Sequence, residues 1–490
     1  LIFIPPSNRI IYCSIKTIKD LDDFKLKEYN LAKDKGHLAN KIIKNLNINN
    51  LNIIHKLSWL IAYSKYEHFT ITKFIKILES KNFSAQFLRE ITIFIPTPFA
   101  HYGDYERYEK LLLWGKNTLD KKLKRKKGLY NESSYFTAIG HMWLLVYLLK
   151  AIETKIIDLN QVSIELAVNK KSIRNYEYFK LLFEKCKATK IKLNYYQSSY
   201  LELEPDMELW PTSFSKSYLF SRHIVGITNK YWESQNKSPL IFPNKMQLEI
   251  GEKILKRNYN NLPKNFVGIH LRIRKDNFSL RNTSKEIAEF AIKKVLSLGF
   301  ECILIGTKIS LNDYLRNSIY DFKDQDNLYD TTKLSLSKYE RECLQLYIWS
   351  KSKFFIGSQS GGTMPPIGFG VPTIWLDVHP IVHYRSPSNN DHIIPKRIFY
   401  KKENKFLSLK EIFNEKHSCA QAEEHQYILK NGYEVFSCKE EQVSKSIKDM
   451  RDRITSNKKL YDHNLDNIGL SKKLKNLANE KFSYGGEYYF

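Results

Sequence analysis

The stretch FVGIHLRIRKDN, residues 266–277, decides the fold. Six of its first eight residues suit a buried strand, yet His270, Arg272 and Arg274 fall on alternate positions. An extended chain repeats every two residues, so those three side chains share one face. A core strand face rarely carries an imidazole and two guanidiniums. The segment is therefore either an edge strand with a wet side or a strand that presents positive charge to something negative.

Downstream, TSKEIAEFAIKKVLSLG (283–299) predicts a helix. Thr283 and Glu286 form its capping box, Ile287, Phe290, Ala291, Val295 and Leu298 its apolar stripe, and Gly299 its stop. ECILIGT (301–307) predicts a strand, SKYERECLQLYIWSK (337–351) a second helix boxed by Ser337 and Glu340, and KFFIGS (353–358) a strand. QSGGTMPPIGFG (359–370) is a turn entering a short helix, and VPTIWLDV (371–378) a last strand. Strand–helix alternation of this kind calls for a parallel sheet with helices on its faces. The same order occurs upstream, where SSYFTAIGHMWLLVYLLKAIE (133–153) reads as a short apolar piece, a Gly-His corner and a helical run. SIELAVNK (163–170), SIRNYEYFKLLFEKC (172–186) and ATKIKLNYY (188–196) then read as strand, helix and strand. YWESQNKSPLIFPNK (231–245), polar and with two prolines, reads as the linker between the two units.

Before residue 131 the spacing is mainly helical, as in HKLSWLIAYSKY (55–66) and YERYEKLLLWGKNTLDKKL (105–123), with FIPTPFAHYGD (94–104) as a loop. The expected organisation is a helical extension over 1–130, Rossmann-like domains over 131–235 and 236–415, and a helical extension over 416–490.

Composition narrows the function classes. The longest apolar run, MWLLVYLL (142–149), falls far short of the roughly 20 residues of a membrane helix. The chain starts at Leu1 rather than Met, leaving room for an upstream piece. LIFIPPSNR lacks the basic start and small-residue cleavage site of a signal peptide. A soluble, cytoplasmic protein is expected. Lys and Arg total 78 against 52 Asp and Glu, a net charge of +26. The excess is mostly Lys amid Ile and Asn, as in KIIKNLNINNLNIIHKL, which fits a coding bias; attraction to an anionic surface or substrate is the other reading. The dense cluster KKLKRKK (121–127) reads as a solvated face. The cysteines Cys13, Cys186, Cys302, Cys343, Cys419 and Cys438 form no C-x-x-C, and no H-E-x-x-H occurs, so neither a disulfide framework nor a metal site is expected.

Doubly wound sheets bind ligands outside the carboxyl ends of their strands. Arg272 and Arg274 end one strand, and GSQSGGT (357–363) ends another just before a helix. Backbone N–H groups at such a turn suit phosphate, Ser358, Ser360 and Thr363 add hydroxyls, and Gly361 and Gly362 let a ligand approach. Arginine suits planar contacts to phosphate oxygens. Each feature alone has an ordinary reading: a tight turn, surface arginines, a hydrogen-bonded core histidine. Together, on one sheet, they read as an anion site sized for a diphosphate.

The stretches VGIHLRIRKDN, RNTSKE and YERECLQLYIWSKSKFFIGSQSGGTMPPIGFGVPTIW together resemble the carboxyl-terminal domain of a poorly characterised bacterial glycosyltransferase family. Its marks are an H-x-R strand end, an R-N pair, an acidic residue in the following helix and an F-F-I-G-[ST]-x-S-G turn. GHM and NKYWESQ resemble its upstream segments, and the resemblance spans roughly residues 135–385. The H-x-R and the turn are similar, more distantly, to those of α1,6- and protein O-fucosyltransferases.

The resemblance implies an α/β, GT-B-like fold, two Rossmann-like doubly wound domains facing a cleft. It also implies a nucleotide-diphosphate sugar as donor and no further cofactor or bound metal, since cationic side chains and a helix dipole offset the leaving-group charge. Arg272 would bind the diphosphate, His270 support that strand end, and Ser358, Ser360 and Gly361 hold phosphate from the turn. Arg281, Asn282 and Glu342 match family positions, Glu342 as a ribose or base contact. The Arg274–Lys275–Asp276 continuation departs from the bacterial pattern toward the fucosyltransferase one. An inverting transfer needs a base on the acceptor side; His141, placed after a strand end, is the candidate, with Asp104 and Glu233 behind it. The implied acceptor is a glycan or lipid-linked molecule of bacterial surface polysaccharide synthesis, reached in the cytoplasm or at the anionic inner face of the membrane. No specific nucleic acid is expected. The rival readings are a basic nucleic-acid-binding protein on a degenerate sugar-nucleotide fold and a nucleotide-sugar epimerase.

Overall fold

The computed structural model describes residues 71–96, 105–131, 134–168, 175–195, 209–213, 218–221, 239–272, 279–306, 327–381, 390–412, 425–456 and 487–488, with isolated positions between and upstream. Arg274, Asp104, Glu233 and most of residues 1–70 lie outside the described residues. In the helical front, α1 (Ile71–Glu79), α2 (Ala85–Phe94) and α3 (Tyr105–Lys122) enclose a small core of their own, with Phe74, Leu88, Ile91 and Leu119 at its centre.

A three-stranded parallel sheet follows, β1 (Gly128–Asn131), β2 (Ser163–Val168) and β3 (Lys192–Tyr195) in that order. It carries the helices α4 (Met142–Glu153) and α5 (Tyr176–Ala188). The apolar piece SSYFTAI is not its first strand. It forms a helical turn, Ser134–Thr137, and GLYN just upstream is the strand, so the sheet begins at 128 rather than 131. The cluster KKLKRKK is only partly a solvated face. Arg125 turns inward to Asp120 (Nε to Oδ1 2.7 Å), and Lys127 Nζ donates to the Thr212 carbonyl (2.9 Å).

The second unit is built on a parallel sheet of β4 (Phe266–His270), β5 (Glu301–Ile305), β6 (Leu328–Asp330), β7 (Phe355–Ser358), β8 (Thr373–Val378) and β9 (His392–Pro395). A short antiparallel sheet, β10 (Arg397–Tyr400), β11 (Lys405–Phe406) and β12 (Tyr433–Phe436), packs beside it. A final strand, β13 (Glu487–Tyr488), joins the large sheet, whose order is β6-β5-β4-β7-β8-β9-β13. Side chains of adjacent positions go to opposite faces, both of them buried, which is why these strands read as unbroken apolar runs. Val267, Ile269, Cys302, Leu304 and Ile356 meet α7 (Lys285–Ser297) and α9 (Glu440–Thr455). Phe266, Ile303, Ile305 and Phe355 meet α6 (Lys245–Asn258) and α8 (Lys338–Lys351).

Two expectations change here. Val443, Ile447 and Met450 of α9 enter the core of the large sheet, and β13 extends that sheet. The described residues after 415 in α9 and β13 thus pack with the second unit rather than forming a separate helical extension. The box on α8 forms as expected between Ser337 and Glu340, but α7 is capped by Ser284, whose hydroxyl accepts from Ile287 N–H. Thr283 is left to bond elsewhere.

The fold is α/β, two units each built on a parallel sheet with helices on its faces, behind a helical front. Their junction is apolar: every residue of α4 from Met142 to Ala151 is buried, and the helix packs on the Pro365–Phe369 turn of the second unit. A helix whose first eight residues are all apolar belongs inside a protein, and the one cation after them, Lys150, lies over the rings of Tyr147 and Trp232.

Candidate functional site

Numbered within the second unit, the sheet runs 3-2-1-4-5-6, so its order reverses between β4 and β7. A reversal opens a crevice at the carboxyl ends of the two central strands, where open α/β sheets bind ligands. The two strands are paired in parallel, Gly268 beside Phe355 and His270 beside Gly357. Their carboxyl ends carry the two motifs picked out in the sequence.

At the end of β4 the strand stops at His270, so the alternation that led to this segment does not extend to Arg272, which stands beyond the ladder. Arg272 N–H donates to Ser358 Oγ (2.9 Å), and Ser358 Oγ is also bonded to Thr283 Oγ1 (2.7 Å). Ser358 and Thr363 are fully buried. Thr363 Oγ1 donates to the Ser358 carbonyl (2.8 Å) and stands 3.5 Å from His270 Nδ1. Both hydroxyls, expected at the phosphate, hold the turn instead, because a buried hydroxyl must find a protein partner. Burial, with the field of Arg272 adding to it, pushes the His270 pKa down to about 4, so the ring is neutral near pH 7.

The glycines also differ from expectation. A Cβ on Gly362 would lie 2.5 Å from His270 Nε2, so Gly362 gives room to the imidazole rather than to a ligand. Gly361 faces Gly140: a Cβ on Gly140 would stand 2.6 Å from Gly361 Cα, and one on Gly361 3.0 Å from Gly140 N. The N–H groups of Gly361 and Gly362 have no acceptor among the described residues. Ser360 is half-buried, and its side chain makes no cap hydrogen bond. Arg281 Nη2 donates to the Gln359 carbonyl (3.1 Å), and the Gln359 amide binds the Pro380 carbonyl and His379 N–H. Asn282 follows Arg281 directly and is half-buried.

Glu342, expected at a ribose or base, lies in the seam between the units. Its Oε2 accepts from the N–H groups of Tyr176 and Glu177 at 3.0 Å each, capping α5 of the other unit. Asn175 Nδ2 donates to Gln345 Oε1 (2.9 Å) and Gln247 Nε2 to Glu177 Oε2 (2.8 Å) in the same seam. A carboxylate suits a helix amino end, where free N–H groups and the dipole are positive. Burial raises the Glu342 pKa, and those N–H bonds oppose the rise.

His141 does not follow a strand end. It closes the turn Ile139–His141, ten residues past β1, and precedes α4. Gly140 beside it rests on Gly361, so the corner from the first unit reaches the turn of the second. Sequence reasoning missed Thr283, Gln359 and the apposition of the glycines. The Thr283–Ser284 pair carried a signal, since two adjacent hydroxyl residues competed for one cap.

No family model and no curated protein matches the chain. Solved structures similar to it include a glycosyl transferase family 9 protein from Veillonella parvula DSM 2008 (11% identity, 51% of this chain and 80% of that one, TM-score 0.31). ADP-heptose LPS heptosyltransferase II of E. coli is similar at 12% identity over 56% of this chain and 90% of that one (TM-score 0.32). An E. coli heptosyltransferase with ADP-2-deoxy-2-fluoro heptose is similar at 11% over 51% and 88% (TM-score 0.26). At such scores the fold rests on the strand order and not on the likeness.

Gly361→Val puts a branched side chain against the Gly140 backbone. It should destabilise the protein by about 1–3 kcal/mol, as overpacking does, and calorimetric melting reads the loss. A second outcome concerns pH. The His270 pKa is about 4 in the fold against 6.5 for the ordinary side chain, so the unfolded chain binds the extra proton between those values. Stability should therefore fall as pH drops from 6.5 to 4, by at most about 1.4 kcal/mol per pH unit from this residue. Comparing His270→Gln with the parent in denaturant titrations across that window isolates the slope, which the substitution should abolish.

Proposed function

We propose that this protein is a glycosyltransferase whose donor is a nucleotide-diphosphate sugar. The observation that carries the reading is the switch point itself: the sheet order reverses between β4 and β7, with Arg272 at one strand end and the Ser360–Gly362 turn at the other. The donor diphosphate lies there, with Arg272 supplying charge, Ser360 a hydroxyl and the Gly361 and Gly362 N–H groups oriented dipoles. Arg281 and Asn282 flank it. Charge developing on the departing diphosphate meets these groups without need of a metal ion. The acceptor, a glycan or a lipid-linked sugar of surface polysaccharide synthesis, comes from the side of the first unit. There His141 stands next to the glycine that touches the turn and takes the acceptor hydroxyl proton as that oxygen attacks the sugar carbon. The similarity to heptosyltransferases agrees with this reading but does not carry it.

The expected work place is cytoplasmic, with or without contact to an anionic membrane; no helix among the described residues is long and apolar enough to cross one. An epimerase would need no acceptor-side corner, and a nucleic-acid binder no diphosphate crevice, so neither alternative uses what the two units build together.

Titration calorimetry with ADP, UDP, GDP and their sugar forms tests donor binding. At least one should bind, and Arg272→Ala should weaken it by about 1.5–3 kcal/mol, the size of a hydrogen bond to a charged partner. Chemistry separates from binding at His141. His141→Asn should keep donor affinity while slowing transfer, or slow donor hydrolysis, by about two to four orders of magnitude. Unchanged rates would take the base away from His141.

A further inference from the structure

We infer that Thr283 is a positioning residue for this anion site: through the Ser358 hydroxyl it sets where the backbone of Arg272 leaves the sheet. The inference rests on the reading that Arg272 meets the donor.

The geometry is a strap of four residues across the carboxyl ends of two strands. Arg281 holds the Gln359 carbonyl just after β7 (3.1 Å), and Thr283 Oγ1 bonds Ser358 Oγ at the end of β7 (2.7 Å). Ser284 N–H donates to Asp377 Oδ2 near the end of β8 (3.0 Å), and its hydroxyl starts α7. The strap is thus rooted in a helix of 13 residues and cannot slide independently of it. Asp377 is itself fixed, buried with Lys396 at 3.1 Å and accepting Cys438 N–H at 2.7 Å.

From this anchored strap one bond reaches the site. Ser358 Oγ has a rotatable proton and could turn to any nearby acceptor. With Thr283 Oγ1 on one side, its rotor is held where it accepts the Arg272 N–H (2.9 Å). Thr283 and Ser358 are both buried, so water cannot replace either partner. The Arg272 amide lies one residue past the strand-flanking Leu271, outside the β4 ladder. A hydroxyl bond there takes over the role of the ladder in fixing the backbone. Planar recognition of phosphate tolerates little displacement, so a small shift of that backbone weakens binding.

The test uses the full chain with Thr283→Val, which removes the hydroxyl, Thr283→Ser, which keeps it, and Ser358→Ala, which removes the middle of the relay. The readouts are calorimetric affinity for whichever of ADP, UDP or GDP the parent binds, and amide hydrogen exchange at Arg272. Thr283→Val and Ser358→Ala should each lower affinity by about threefold to tenfold, the weight of one net hydrogen bond, and speed Arg272 exchange. Thr283→Ser should restore both. In an Arg272→Ala background Thr283→Val should have no further effect on affinity. A Thr283→Ser protein as weak as Thr283→Val would show that the methyl group packs and the hydroxyl does not position, overturning the inference. So would unchanged exchange at Arg272 in both hydroxyl-deleted proteins. If the parent binds none of the nucleotides, the donor reading fails by itself, and exchange at Arg272 still decides whether the relay holds the backbone.

Discussion

Two glycines meeting backbone to backbone set the geometry of this molecule. Gly140 in the first unit and Gly361 in the second approach so closely that neither position has space for a Cβ. Side chains normally keep backbones of packed elements well apart, so this contact brings a corner of one sheet unit onto the Gly361–Thr363 turn of the other. The rest of the junction follows from it. The helix α4, which begins right after the corner, is drawn into the seam and is apolar from Met142 to Leu149, with the Lys150 ammonium buried over the rings of Tyr147 and Trp232. The Pro365–Phe369 turn, which follows the Gly361–Thr363 turn, becomes its packing partner.

That closeness also explains why several polar residues serve the scaffold. Elements pressed together bury hydroxyls and carboxylates, and buried polar atoms need partners in the protein. Glu342 caps α5 across the seam, Ser358 links Arg272 to Thr283, and Thr363 closes its own turn. Each is of a type that could touch a ligand, and each is used up on the fold. Ser360, by contrast, is half-buried and makes no cap hydrogen bond.

Much of the second unit was legible because parallel strands buried on both faces announce themselves as apolar runs punctuated by capped helices. KFFIGS and ECILIGT did so, as did the Ser337–Glu340 box. The strand order was not legible, since alternation tells that a sheet is parallel and not where its order reverses. GLYN was missed because four residues beside a basic cluster give no period, and the apolar SSYFTAI competed with it. The tail was misread because α9 is amphipathic, and amphipathicity alone does not say which core a helix covers. For the candidate site, residue types pointed to two strand ends that are neighbours in the sheet. Assigning atoms to roles failed at Glu342, Ser358, Thr363 and the glycines, because a sequence does not reveal which hydroxyl is already bonded.

The H-x-R segment can now be understood as three neighbours with three tasks. His270 ends the strand with its ring beneath Gly362, where only a residue lacking a side chain fits above it. Leu271 turns the other way, onto the apolar core beneath α7 and α9. Arg272 is then the first residue outside the ladder, tied by its N–H to Ser358. Burial keeps the imidazole uncharged, and this matters electrostatically. A protonated His270 would add a second positive charge within the turn and repel the arginine beside it, as the depressing effect of Arg272 on its pKa records. With the ring neutral, the charge at the described strand end is that of Arg272. The positive charge of this chain as a whole says little about the crevice at the strand ends. The dense lysine cluster precedes the amino end of β1, whereas ligands of such sheets meet the carboxyl ends. Where the Arg272 backbone leaves the sheet depends instead on a buried hydroxyl, Ser358, and on the Thr283 hydroxyl bonded to it.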